Sequence, residues 1–128
     1  MRFQKNQPKN IEQHKTQSLH YFENALNAIQ AGNAEKAGEF LWGSMAQALK
    51  AVAARKGVQL NSHGQLRNYA SQLAKELGDE SIAKNFRDAE SLHRNFYEFG
   101  FELEDVRILA EDLREAVSKL LRLAEEAA

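Results

Sequence analysis

Cysteine is absent from the 128 residues, and the only proline is Pro8. Without thiols there is no disulfide framework, no thiolate metal site and no cysteine nucleophile. No apolar run approaches the roughly 18 residues needed to span a bilayer. Met1–Asn10 is polar and lacks the apolar core of a signal peptide. A large excess of one charge is also missing: 17 basic side chains face 18 acidic ones, for a net charge of −1. Binding that coats nucleic acid relies on clustered excess Lys and Arg, so that class is disfavoured, whereas a small local site is not. There is no phosphate-cradling glycine loop, no serine elbow and no HExxH pattern. The four histidines, His14, His20, His63 and His93, do not pair at the i, i+4 spacing of a helical zinc site. No metal and no cofactor are expected, and the bland expectation is a cytoplasmic protein with no membrane contact.

What is present is ordinary for a globular chain, 43% hydrophobic and 27% charged residues, at a length that suits one domain. Residues 1–10 have no periodicity and read as a flexible N-terminal arm, with Phe3 as a docking residue. Residues 11–128 read as a single helical domain. Leu19, Phe22, Leu26 and Ile29 recur at three and four and predict one apolar stripe on a first helix, which stops near Gly32-Asn33. A second helix from about Ala34 turns Phe40, Leu41, Met45, Leu49, Val52 and Ala53 inward. Its small residues Gly38, Gly43, Ser44, Ala46 and Ala48 invite close approach by a neighbour. Val58–Asn61 is a connector. Ser62, with Gln65 three positions on, predicts a capping box at the start of a third helix. Gly78 ends that helix, and Asp79 is placed to cap the next. A fourth helix is predicted from about Glu80 to Phe99, and a fifth from about Glu104-Asp105, with Val106, Leu109, Ala110, Leu113, Val117, Leu120 and Ala124 inward. No segment alternates with period two over any length. The expectation is an all-α, up-and-down bundle of about five helices. Surplus apolar surface on helices one and two and on helix four predicts a homodimer.

The densest segment is Asp88–Glu102, DAESLHRNFYEFGFE. At about 100° per residue, Ile82, Phe86, Ala89, Leu92, Phe96, Tyr97 and Phe99 share an arc that includes His93. Arg87, Arg94 and Glu98 fall opposite, with Glu90 at the border. Three candidates for chemistry follow: His93, Arg87 and Arg94. Arginine can hold a phosphate while histidine moves a proton. On a straight helix, however, Arg87 and His93 diverge by roughly 120°. Arg94 and Glu98 have the spacing of an i, i+4 ion pair. A polar notch of His93, Arg94, Asn95, Tyr97 and Glu98 at the end of helix four would suit a nucleotide or RNA phosphate, with stacking on Tyr97 and His93.

Ala89-Glu90-Ser91-Leu92-His93-Arg94-Asn95-Phe96-Tyr97-Glu98 resembles the signature of the PaREP branch of the HEPN superfamily, the higher eukaryotes and prokaryotes nucleotide-binding domains. Ala37-Gly38-Glu39-Phe40-Leu41-Trp42-Gly43 resembles the entry of its second helix, Ser62-His63-Gly64-Gln65-Leu66 the start of its third, and Glu104-Asp105-Val106 the start of its last. The likeness covers nearly everything after the arm. It implies an all-α bundle, commonly dimeric, with one of two jobs. Some members are metal-independent RNases with an arginine four to six residues before a histidine. Others are noncatalytic partners of nucleotidyltransferase proteins or bind nucleotides. Read from Arg94-Asn95, the RNase histidine belongs near 99 to 101, where this chain has Phe99, Gly100 and Phe101. The first expectation is therefore a noncatalytic, dimeric module for a nucleotide, RNA or a nucleotidyltransferase partner. The alternatives are an RNase using His93 with Arg87 or Arg94, and a structural helical adaptor.

Overall fold

A computed structural model of the protein describes residues 10–126. Residues 1–9, which contain Phe3 and nearly all of the expected arm, lie outside the described residues. Asn10 caps the first helix, accepting from Gln13 N at 2.8 Å while its own N–H donates to Gln13 Oε1 at 2.9 Å. Among the described residues there are six helices and no strand: α1 (Ile11–Gln30), α2 (Ala34–Arg55), α3 (His63–Leu77), α4 (Ser81–Arg94), α5 (Phe96–Phe99) and α6 (Leu103–Glu125). The fold is an all-α bundle. No helix of the described residues is long and apolar enough to cross a membrane.

The helix ends follow local chemistry. Asn33 accepts from Lys36 N at 3.0 Å and starts α2. Ser62 accepts from Gln65 N at 3.1 Å and starts α3, while the Gln65 side chain accepts from Asn61 N at 2.6 Å. The box is thus formed one residue off its ideal register. Gly78 and Gly100 close α3 and α5 with φ of 63° and 66°, a left-handed conformation in which a Cβ is strained.

α2 is the axis of the bundle and packs against α1, α6, α4 and α3. Its Leu41, Met45, Leu49 and Val52 are buried, as are Val106, Leu113, Val117 and Leu120 from α6. The small residues of α2 work as contact points. Ser44 and Ser18 of α1 each donate a hydroxyl to the other's carbonyl, at 2.9 and 2.8 Å, inside the core. Gly43 lies under the Tyr21 ring, and a Cβ there would meet it at 2.9 Å. Gly38 sits so close to α4 that a Cβ would meet the Leu92 carbonyl at 3.3 Å.

Two expectations are corrected. The α1 stripe is narrower than the leucine spacing suggested: Phe22 and Ile29 face inward, but Leu19 is 51% exposed and Leu26 is exposed too. Ser18, Ala25 and Ala28 take the inner positions instead. Close contact with the small-residue face of α2 favours small side chains over leucine there. The fourth helix is also not continuous to Phe99. It stops at Arg94, and Asn95 adopts φ −122°, ψ 24°, outside the helical region, before the single turn of α5. Asparagine competes poorly as a helix-interior residue because its amide offers the backbone other partners. Ile82, Phe86, Ala89 and Leu92 are buried as expected, Phe96 is half-buried, and the break turns Tyr97 and Phe99 outward.

At the α3–α4 corner, Asp79 Oδ1 accepts from Ser81 N at 3.0 Å and from Ser81 Oγ at 2.6 Å. Its other oxygen pairs with Lys119 of α6. The Lys119 hydrogen bond, followed by those from Ser81, lowers the carboxyl from its ordinary 3.8 to about 2. A depressed carboxylate stabilises the fold fully above its unfolded value, and that contribution is lost as pH falls from about 4 toward 2. Asp79→Asn is therefore expected to lower the melting temperature at pH 7 and to narrow its gap to wild type on acidification through that window. An unchanged gap between pH 5 and 2 would contradict the assignment.

Candidate functional site

α2, α3 and α4 converge on one edge of the bundle, and Gly38 lets α2 and α4 approach closely there. Trp42 is buried on α2, edge-on to Phe86 at 5.4 Å between centroids. His93 of α4 stacks on the indole, with planes 9° apart and centroids at 5.4 Å. His63, the first residue of α3, lies tilted at 5.1 Å from the indole and 5.3 Å from the His93 ring. One indole and two imidazoles therefore make a contiguous aromatic cluster, in which the indole is buried and the imidazoles are partly exposed.

Charged groups surround it. His93 Nδ1 lies 3.0 Å from Glu39 Oε1. A carboxylate only accepts, so Nδ1 donates, and Nε2 is left without a hydrogen-bond partner among the described residues. Glu90 is the hub on the other side, with a side chain only 12% exposed. Arg67 of α3 grips both its oxygens, Nη2 to Oε2 at 2.8 Å and Nε to Oε1 at 3.4 Å. Arg94 Nη1 and His63 Nδ1 approach the same Oε2 at 3.7 and 3.8 Å. The cluster thus presents imidazole faces, one guanidinium hydrogen-bonded to Glu90 with a second ion-paired beside it, and an imidazole nitrogen at a solvent-reachable edge, since the His93 side chain is 32% exposed. Among the described residues no group of three or more His, Cys, Asp or Glu side chains is placed to hold a metal ion.

The structure brings together only part of the expected notch. His93 and Arg94 belong to the cluster. Arg94 pairs back to Glu90 and not forward to Glu98, because the break at Asn95 removes the i, i+4 register. Glu98 is exposed and makes no ion pair among the described residues. Asn95 is half-buried at the break. Tyr97 is 75% exposed, and the interaction of its side chain with Glu35 of α2 raises the phenol above its ordinary value of 10. Arg87 does not join His93: it lines a separate groove with Ser71, Lys75 and Glu80. Sequence reasoning did not assign Glu39, Trp42, His63, Arg67 or Glu90 to a site. The available signal was the presence of Glu39, Trp42 and His63 in the very segments that carry the family resemblance.

Fold and site together define an all-α helical bundle with an aromatic, two-histidine, two-arginine cluster at the meeting of its second, third and fourth helices. The model of the archaeal PaREP1/PaREP8 family matches residues 13–121, which include every residue of that cluster, and the chain belongs to this family. A crystal structure of a protein from Sulfolobus solfataricus superimposes with a TM-score of 0.74, covering 85% of this chain and 97% of that one at 19% identity. At that identity the likeness concerns the fold alone. No curated protein matches the chain.

Proposed function

We propose that this protein is a HEPN-like binding module that takes a nucleotide, free or within RNA, at the Trp42–His63–His93 cluster. One observation carries the reading: two imidazoles lie against one indole, with Arg67 hydrogen-bonded to Glu90 beside them and Arg94 ion-paired to the same carboxylate. Bases stack on aromatic faces, and guanidiniums hold phosphates in a fixed fork. The superfamily resemblance in residues 89–98 and the all-α bundle support the same class. Trp42 is the sole tryptophan, so its fluorescence reports the site directly. Titration with adenosine 5′-monophosphate is expected to change that emission, with affinity at least tenfold lower in His93→Ala. Equal or absent binding in both proteins would favour the structural adaptor.

A second reading, a metal-independent RNase, is favoured by the 5.3 Å separation of the His63 and His93 rings. Two imidazoles can divide the roles of general base and general acid, with Arg94 on the phosphate. This differs from a pairing of His93 with Arg87, which faces another groove. RNA cleavage in chelator that is lost in both His63→Ala and His93→Ala would establish it. Cleavage unchanged by His93→Ala would dismiss it.

Exposed Leu19 and Leu26 on α1, and exposed Tyr97 and Phe99 on α5, support the dimer, as they leave apolar surface that a single copy does not cover. A nucleotidyltransferase protein is the other candidate for that surface. Sedimentation is expected to show a dimer for wild type and a monomer for Leu19→Glu with Leu26→Glu. A clean wild-type monomer at high concentration would contradict the dimer.

A further inference from the structure

A wide groove of about 600 Å³ runs between α4 and α6 and shares no residue with the Trp42 cluster. The two helices are antiparallel there: Asp79, just before α4, pairs with Lys119, and Lys84 feels the charge of Asp112. Asn85 therefore falls level with residues 112 to 116, where Ala116 is small enough to leave space beside it. Asn85 is only 8% exposed, and its amide makes no hydrogen bond with another described residue. The amide is nevertheless not fully enclosed, so the atoms that solvent reaches open into the groove. Side chains buried to this degree are normally hydrogen-bonded, and this one offers its acceptor and its donors only to what enters the groove.

Around Asn85 the two lysines are engaged and three carboxylates are not. Lys119 is held by Asp79, and Lys84 donates to Asp88 at 2.9 Å. Lys119 stands at i+4 from Glu115 and has the spacing of its helical partner, but it turns to Asp79 and leaves Glu115 unpaired among the described residues. Glu111 and Asp112 make no ion pair among them either. Arg122 is the cation at the far end of the groove, about 10 Å along the helix from Glu115. These carboxylates do not converge to hold a metal ion; they are strung along one helix. Four residues of helix rise about 6 Å, so Glu111 and Glu115 stand as far apart as two ammonium groups joined by an extended chain of four methylenes. From this placement we infer that the groove binds a linear polyamine, with one ammonium at Glu111 and Asp112, the next at Glu115, and the Asn85 amide oxygen accepting a further N–H between them. An ammonium only donates, and each of these protein groups accepts. The methylenes lie along Ala116 at the floor. Because the groove and the nucleotide cluster have no residue in common, either can be lost without the other.

The test is calorimetric titration of the full chain with 1,4-diaminobutane and with n-butylamine, which has the same chain and a single charge. Wild type is expected to bind the diamine about tenfold more tightly than the monoamine, since the second ammonium adds its own charge-assisted hydrogen bonds. Glu115→Gln is expected to weaken the diamine about fivefold, near the upper end for an exposed charge pair. Asn85→Ala is expected to weaken it by a similar factor. Glu104→Gln, the same charge change on α6 outside the groove, is expected to leave it unchanged. Circular dichroism melts establish which variants are folded, and because Glu115 is exposed its variant carries the test even where Asn85→Ala does not fold. Equal affinity for the two amines, or no binding of either, overturns the proposal. Unchanged diamine binding in Glu115→Gln, or in a folded Asn85→Ala, overturns it too. A loss in Glu104→Gln as large as that in Glu115→Gln reports diffuse attraction to an acidic helix and has the same consequence.

Discussion

Trp42→Ala is expected to cost about 3–5 kcal/mol of stability, the range for truncating a large buried aromatic. The indole is buried, meets Phe86 edge-on, and backs both imidazoles. Phe86 is itself fully enclosed, so the space left by the indole is bounded by a rigid wall and collapses poorly. A cost of that size lowers the melting temperature by roughly 10 °C or more in a domain this small. Trp42→Phe keeps an aromatic ring over the same wall and is expected to lose less than half as much. Nucleotide binding separates the two roles of the residue. Both variants change the support under the His63 and His93 rings, so both are expected to weaken binding even where Trp42→Phe remains folded. A Trp42→Phe protein that binds as wild type does would confine the indole to a packing role.

Removing both Arg67 and Arg94 is expected to reduce nucleotide affinity about hundredfold or more. A hydrogen bond to a charged group contributes about 1.5–3 kcal/mol, and the double variant removes at least two from the phosphate. Glu90→Gln is expected to move affinity the other way. Glu90 holds the Arg67 guanidinium and attracts that of Arg94, but it also puts a negative charge beside the incoming phosphate. At an effective dielectric of about 20, like charges about 5 Å apart repel by about 3 kcal/mol. A glutamine still accepts one bond from Arg67, so most of the positioning survives. Repulsion is the larger of the two effects, and binding is expected to tighten roughly tenfold. Weaker binding in Glu90→Gln, measured by the same tryptophan titration, would show that positioning outweighs charge.

How much of this could be read from the chain depends on whether the signal is local. The α6 repeat was readable because its inward residues are large and regularly spaced, and all but half-buried Leu109 are buried. Ile82, Phe86, Ala89 and Leu92 were readable for the same reason. The α1 stripe misled because periodicity marks leucines without showing that the facing helix is lined with Gly43, Ser44 and Ala48, which select small partners. The break at Asn95 was hidden by the aromatics beyond it, since Phe96 and Phe99 continue the apolar pattern even though the backbone turns away. Within the site, His93 and Arg94 were found because they are neighbours in one segment. Glu39 lies 54 residues from His93, and Arg67 lies 23 from Glu90. No periodicity on one helix reports which side chain a different helix brings to it. His63 was visible as the first residue of a capped helix and within a segment of the family resemblance. Its partnership with Trp42 and His93 is a product of packing.

The most direct measurement is the ring-proton NMR spectrum of the four histidines during titration with adenosine 5′-monophosphate. His63 and His93 are expected to shift together with ligand concentration, while His20, whose only ring neighbour among the described residues is Tyr21, stays in place. A titration in which the His63 and His93 signals do not move, at concentrations where binding is otherwise detected, would contradict the assignment of this cluster as the ligand site.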